Sequence, residues 1–207
     1  YVAYPSENEP LASNISLESL GMSRAVNKPF VFITTDETYS QRAINISSEF
    51  DLNPWILGSG YEYRRLDYFS KTKPFFILPI DFPSKPNVVK PMSDLQYSTA
   101  ELKHWDIAPD NLFYLNNAGH DFSITSHYMK KKSEFRKNLQ KVIDRGLSED
   151  IVLSALTTQP AEALGMQKSL GKIAPGYDAN LVVVDGEYFD PKSKIVSVWI
   201  EGKEYYI

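Results

Sequence analysis

Apolar and polar positions alternate along the first half of the chain on a repeating strand-then-helix plan. Residues 1–28 are polar and interrupted by Pro5 and Pro10, with one short helix predicted over Ser16–Met22. Pro29 then opens PFVFITTD, an apolar run that fits a buried parallel strand. Glu37–Phe50 follows at helical spacing, with Ala43, Ile44 and Phe50 inward and Glu37, Arg42 and Glu49 outward. Pro54–Leu57 is a second strand, ending at Gly58-Ser59-Gly60, and Tyr61–Lys71 a second helix. Pro74–Ile80 is a third strand. Strands and helices alternating at this spacing predict an α/β fold with a parallel sheet.

Pro83, Pro86 and Pro91 break the rhythm and predict a long loop from Asp81 to Gln96. Helices are expected around Thr99–Trp105 and Asn111–Ala118, the second closed by Gly119, before a fourth strand at Phe122–Thr125. Phe135–Arg145 is amphipathic, with Phe135, Leu139, Val142 and Ile143 on one face. Ser148 is placed to cap another helix whose apolar side carries Ile151, Leu153, Ala155 and Leu156. Thr158-Gln159-Pro160 reads as a break and restart, with Thr158 or Gln159 at the cap, Pro160 at the first helical position and Gly165 as the stop. Leu181–Val184 predicts a buried strand, and Ile195–Ile200 with Lys203–Ile207 a hairpin about Glu201-Gly202.

The runs ALTTQPAEALGM, LGKIAPGYDANLVVVDG and VSVWIEGKEYY resemble, in that order, the C-terminal signature of the amidohydrolase superfamily, and most nearly its imidazolonepropionase-like branch. The match is specific over Ala155–Gly186 and looser back to Phe30. The resemblance implies the C-terminal half of a (β/α)8 TIM-type barrel plus a few strands of a small composite β-sandwich. The expected divisions are a leading segment 1–28, four βα units over 29–170, and sandwich strands over 171–207. A full barrel takes ~250 residues, and the chain has 207 and begins at Tyr1. The expectation is therefore the C-terminal part of a longer protein, resembling metal-dependent hydrolases of C–N bonds other than peptide bonds and inactive as an isolated chain. A non-catalytic binding or structural domain is the alternative.

Composition narrows the chemistry. Cysteine is absent, which removes disulfides, thiolate catalysis and thiolate zinc sites. The net charge is -4, the opposite of a nucleic-acid-binding balance. No run approaches the ~18 apolar residues of a membrane span, so a soluble protein is expected, cytoplasmic or periplasmic without distinction. The Lys130-Lys131-Lys132 cluster reads as a solvated helix start.

Candidate site residues follow from barrel geometry, in which chemistry sits at the C-terminal ends of the strands. Asp36 follows the first strand, Ser59 the second and Asp81 the third, and each is a candidate substrate-binding residue. Gly58-Ser59-Gly60 also offers backbone N–H groups to an anion. By the resemblance, metal-binding His residues belong after the family's fifth and sixth strands, yet Thr34-Thr35 and Gly58-Ser59-Gly60 stand there. The family's Asp after the eighth strand aligns with His127, a candidate catalytic residue. No metal ligand set is legible in this chain, and zinc or another divalent metal is implied only for an active full-length protein. His104 and His120 read as structural, while Tyr61, Tyr63, Phe82 and Tyr128 are candidates to line a mouth. Half a barrel also leaves edges at Phe30–Thr35 and Phe122–Thr125, and faces that lose their packing, with residues such as Phe32, Ile56, Phe76 and Ile124 on one or other side. The expected partner is the N-terminal half of the same protein or a second copy of this chain, with folding back of residues 1–28 a further way to cover them.

Overall fold

The computed structural model describes residues 14–87 and 96–206. The predicted loop over 88–95, Pro5, Pro10 and Ile207 lie outside them. Four strands, β1 (Pro29–Ile33), β2 (Asn53–Leu57), β3 (Phe75–Pro79) and β4 (Phe122–Thr125), form one parallel sheet in chain order. Helix α1 (Ile15–Ala25) precedes β1 and buries none of its residues, so it covers no part of the sheet. Between β1 and β2 lies α2 (Glu37–Glu49), and between β2 and β3 lies α3 (Leu66–Thr72). Helices α4 (Thr99–Ile107) and α5 (Asn111–Asn117) lead into β4, and α6 (Phe135–Asp144), α7 (Glu149–Leu156) and α8 (Thr158–Ala163) follow it.

Register separates two faces of the sheet. Phe32, Ile56, Phe76 and Phe122 stand in one row across the four strands. Ile56, Phe76 and Phe122 are completely buried, in a core completed by Phe69, Leu112, Leu139 and Val152 of the helices. Side chains alternate along a strand, so Val31 and Ile33 point the other way, level with Trp55 and Leu57. On that face Val31 is 54% exposed and Ile33 68%, while Leu57 is buried. The side on which Phe32, Ile56, Phe76 and Ile124 lie was open in the sequence; they lie on the covered one, where the helices pack on the even-numbered side of each strand.

Helix starts follow local hydrogen bonding. The Asp36 carboxylate accepts from the N–H groups of Thr38 and Tyr39 to begin α2. Ser98 and Glu101 form a reciprocal capping box on α4, and Ser148 caps α7. Four expectations shift. Phe50 is the C-cap of α2 and is exposed, because the helical period has ended there. On α7 the buried positions are Val152 and, as expected, Ala155, whereas Leu153 faces solvent. The cap of α8 is Thr157, which moves Pro160 inside the first turn. The helix predicted over Tyr61–Lys71 divides into a 3-10 turn, Glu62–Arg65, and α3.

The remaining strands, β5 (Leu181–Val184), β6 (Ile195–Ile200) and β7 (Lys203–Tyr206), make a separate antiparallel sheet in that order. Positive φ at Glu201 and Gly202 gives the β6–β7 turn the twist that a tight hairpin needs. β5 was expected to be buried, but Val182 and Val183 are exposed. A continuous apolar run marks a strand that something can cover on both faces, and the described residues supply no second layer. The β5–β6 connection is held to α6 by Arg136. Its guanidinium donates to the carbonyls of Tyr188 at 2.8 Å, Ser193 at 2.6 Å and Asp190 at 2.5 Å.

The two faces differ in what a deletion removes. Phe76→Ala is expected to cost ~3–5 kcal/mol, the usual range for emptying an aromatic core site, and Ile33→Ala within ~0.5 kcal/mol in the isolated chain. Urea unfolding of both variants measures the difference, and equal losses would contradict the assignment of faces.

Candidate functional site

Parallel strands bring their C-terminal ends to one end of the sheet, and the four candidate residues meet that condition. No hydrogen bond links them to one another among the described residues. Asp36 is engaged in capping α2. Asp81 is exposed after β3. Ser59 lies after β2 and His127, exposed, after β4. Among the described residues, no three His, Asp or Glu side chains come together as a group able to hold a metal ion.

The loop after β2 is built around a carboxylate that sequence reasoning passed over. Glu62 is fully buried. Its Oε1 accepts from the N–H of Ser59 at 2.7 Å and lies 3.3 Å from the Ser59 hydroxyl. Its Oε2 accepts from the N–H of Gly60 at 3.1 Å and from Asn111 Nδ2 at 2.7 Å. Asn111 in turn accepts, through Oδ1, the N–H of Tyr63. The backbone donors assigned by the sequence to an external anion are thus filled from within the chain. Gly58 permits the approach: a Cβ there would stand 2.6 Å from Glu62 Oε1. The signal available in the sequence was an acid four residues after Gly58, inside a stretch read as a helix.

Beside this network sits an aromatic cluster. His104 of α4 stacks on Tyr61 with ring centroids 3.7 Å apart, and its Nδ1 is 3.2 Å from the Tyr63 hydroxyl. Arg64 lies over the Tyr61 ring and pairs with Glu37 at 3.4 Å. Burial, reinforced by the Arg64 charge and opposed by Glu37, lowers the His104 pKa to about 4. His104 is therefore a neutral packing group at neutral pH. His120, immediately before β4, is buried edge-on against Phe76, and neither ring nitrogen has a hydrogen-bond partner in the described structure. It lies at the opposite end of the sheet from His127. Of the four aromatic candidates for a mouth, Tyr61 and Tyr63 are taken up by His104 and Arg64, and Phe82 lies under Lys141. Tyr128 is 47% exposed.

At the end of β1 the Thr34 side chain is engaged within the chain. The buried Thr34 hydroxyl donates to the Leu57 carbonyl at 2.9 Å and meets the Ser40 hydroxyl at the same distance. After β4 the chain turns sharply: Met129 N–H donates to the Ser126 carbonyl, with Tyr128 at φ 67°. A non-glycine residue in that region stores ~1–2 kcal/mol of strain. Among the described residues no complete ligand set for a divalent metal is assembled. The Thr34 hydroxyl and the buried Glu62 carboxylate are engaged within the chain, while Asp81 and His127 stand exposed at their strand ends.

Residues 107–205 match the amidohydrolase family model. A segment of 57 residues, 28% of this chain and 6% of the relative, is 44% identical to Amidohydrolase tasK of Hapsidospora irregularis. The structure of an amidohydrolase from Thermotoga maritima MSB8 superposes with a TM-score of 0.73 at 23% identity, over 97% of this chain and 49% of that one. A Xaa-Pro dipeptidase with methionine bound in its active site superposes with a TM-score of 0.66 at 14% identity, over 90% of this chain and 47% of that one. The chain spans about half the length of these solved structures.

Removing the acceptor at the centre of the β2 loop strands the Asn111 amide and the part-buried N–H groups of Ser59 and Gly60. Glu62→Ala is expected to destabilise by ~2–4 kcal/mol, from buried donors left without partners at ~1–3 kcal/mol each. Asp36→Ala removes only a partly exposed cap and should cost ~1 kcal/mol. Chemical denaturation ranks the two, and a Glu62→Ala loss no larger than that of Asp36→Ala would show that the network does not organise the loop.

Proposed function

We propose that the chain, whose residues 107–205 match the amidohydrolase family model, is the C-terminal part of an amidohydrolase-like protein, the last four βα units of a barrel whose first four lie outside it. The class of reaction for the full-length protein is hydrolysis of C–N bonds other than peptide bonds. The isolated chain is inactive. The observation that carries this reading is the pair of sheet faces: helices close one, and the other presents Val31 and Ile33 to solvent at a barrel's inner position. A catalytic centre in the full-length protein must draw its cation ligands from beyond this chain, with His127 the one candidate contributor from these strand ends. The engaged ends of β1 and β2 favour a second reading, in which the full-length protein is a binding or structural domain without catalysis.

Two measurements bear on these readings. Purified 207-residue chain should carry no stoichiometric zinc after dialysis. Elemental analysis finding about one zinc per chain, lost in His127→Ala, would place a metal centre here. Sedimentation tests the missing half. Burying apolar surface is worth ~25 cal/mol per Å2, so the open face favours association with the N-terminal half or with a second copy. A soluble monomer with cooperative unfolding at micromolar concentration would mean that the four units close on themselves.

A further inference from the structure

The turn after β4 forms a depression of 430 Å3 lined by Thr125, Ser126, His127, Tyr128, Lys130 and Lys132, above the buried Met129. Its lining contains no acidic residue, although the chain as a whole carries a net charge of -4. Of the three consecutive lysines, Lys131 pairs with Glu134 at 3.8 Å. The two that line the depression, Lys130 and Lys132, make no ion pair among the described residues.

We infer that this depression binds a compact oxyanion, a phosphate or a carboxylate group, at the strand end where the superfamily resemblance places an aspartate. A cation there would face two ammonium groups and an imidazole with no carboxylate in the lining. An oxyanion meets two flexible point charges, an imidazole and the hydroxyls of Thr125 and Ser126. The hydroxyl of Thr125 accepts the backbone N–H of His127 at 3.1 Å, which leaves its own proton to donate outward. The strained turn serves the same arrangement. Left-handed Tyr128 holds its ring edge-to-face on His127 with centroids 4.1 Å apart, and so limits where the imidazole can point. Glycine would relieve the backbone at that position and lose the ring contact. Strain retained at an exposed turn is a mark of positioning.

The inference does not depend on whether the full-length protein hydrolyses a substrate. Its test is calorimetric titration of the natural full-length protein with inorganic phosphate and, separately, with acetate. Saturable binding that weakens at least ~10-fold in K130A/K132A, equivalent to ~1.4 kcal/mol, is expected, with an unchanged melting temperature because both side chains are exposed. Tighter binding of phosphate assigns the guest as a phosphoryl group, and tighter acetate binding assigns a carboxylate. Tyr128→Gly should keep or raise the melting temperature and still weaken binding. Absence of saturable heat up to ~10 mM of either anion, ten times a millimolar Kd, overturns the assignment. So does affinity that K130A/K132A leaves unchanged.

Discussion

A fully buried carboxylate must be satisfied by donors, and that constraint organises the end of the sheet. Glu62 obtains its donors from the two residues that turn the chain after β2 and from Asn111 on α5. The 3-10 turn, the glycine at position 58 and the docking of α5 against the β2 loop all follow from it. Through Asn111 the network reaches the backbone of Tyr63, whose hydroxyl meets His104. The insertion that carries α4 is thereby tied to the strand end. A loop spent on its own internal anion has no donors left for a ligand, which is why the most inviting glycine-rich stretch in the sequence is architecture.

The same distinction applies to the stretch with the strongest family resemblance. Gln159, in the middle of its TTQP run, accepts the first N–H of β4 at 2.8 Å. Gly171 passes so close to α8 that a Cβ would stand 2.8 Å from the Thr157 carbonyl, and its φ of 89° is left-handed as well. These residues fix how the last helices sit on the sheet and where the chain leaves it. Arg136 continues the linkage by gathering three carbonyls of the β5–β6 connection. A signature of this kind reports the frame of a superfamily, and function resides in the strand ends that the frame presents. Here those ends are occupied by hydroxyl bonding at Thr34, the Glu62 network and a cationic turn at His127.

The sequence by itself determined the four strands, their parallel order and most helix positions. Those features depend on local periodicity and on short-range caps such as Asp36, Ser98 and Ser148. It also carried the resemblance to the amidohydrolase superfamily, in the runs about Gly165, Gly171 and Gly176, and the family model matches over residues 107–205. The tertiary structure decided which face of each strand is covered, since a pattern of apolar residues on both sides of β1 and β2 does not say where helices will pack. It decided that Leu181–Val184 is an exposed strand, because an apolar run specifies what can be buried and not what is present to bury it. It assigned Glu62 its role, since a carboxylate's partners 2 and 49 residues away are brought together only by folding. The pairing of Tyr128 with His127 was equally beyond reach. A left-handed tyrosine has no signature in composition, and the charge around an imidazole depends on which of three adjacent lysines the turn directs toward it.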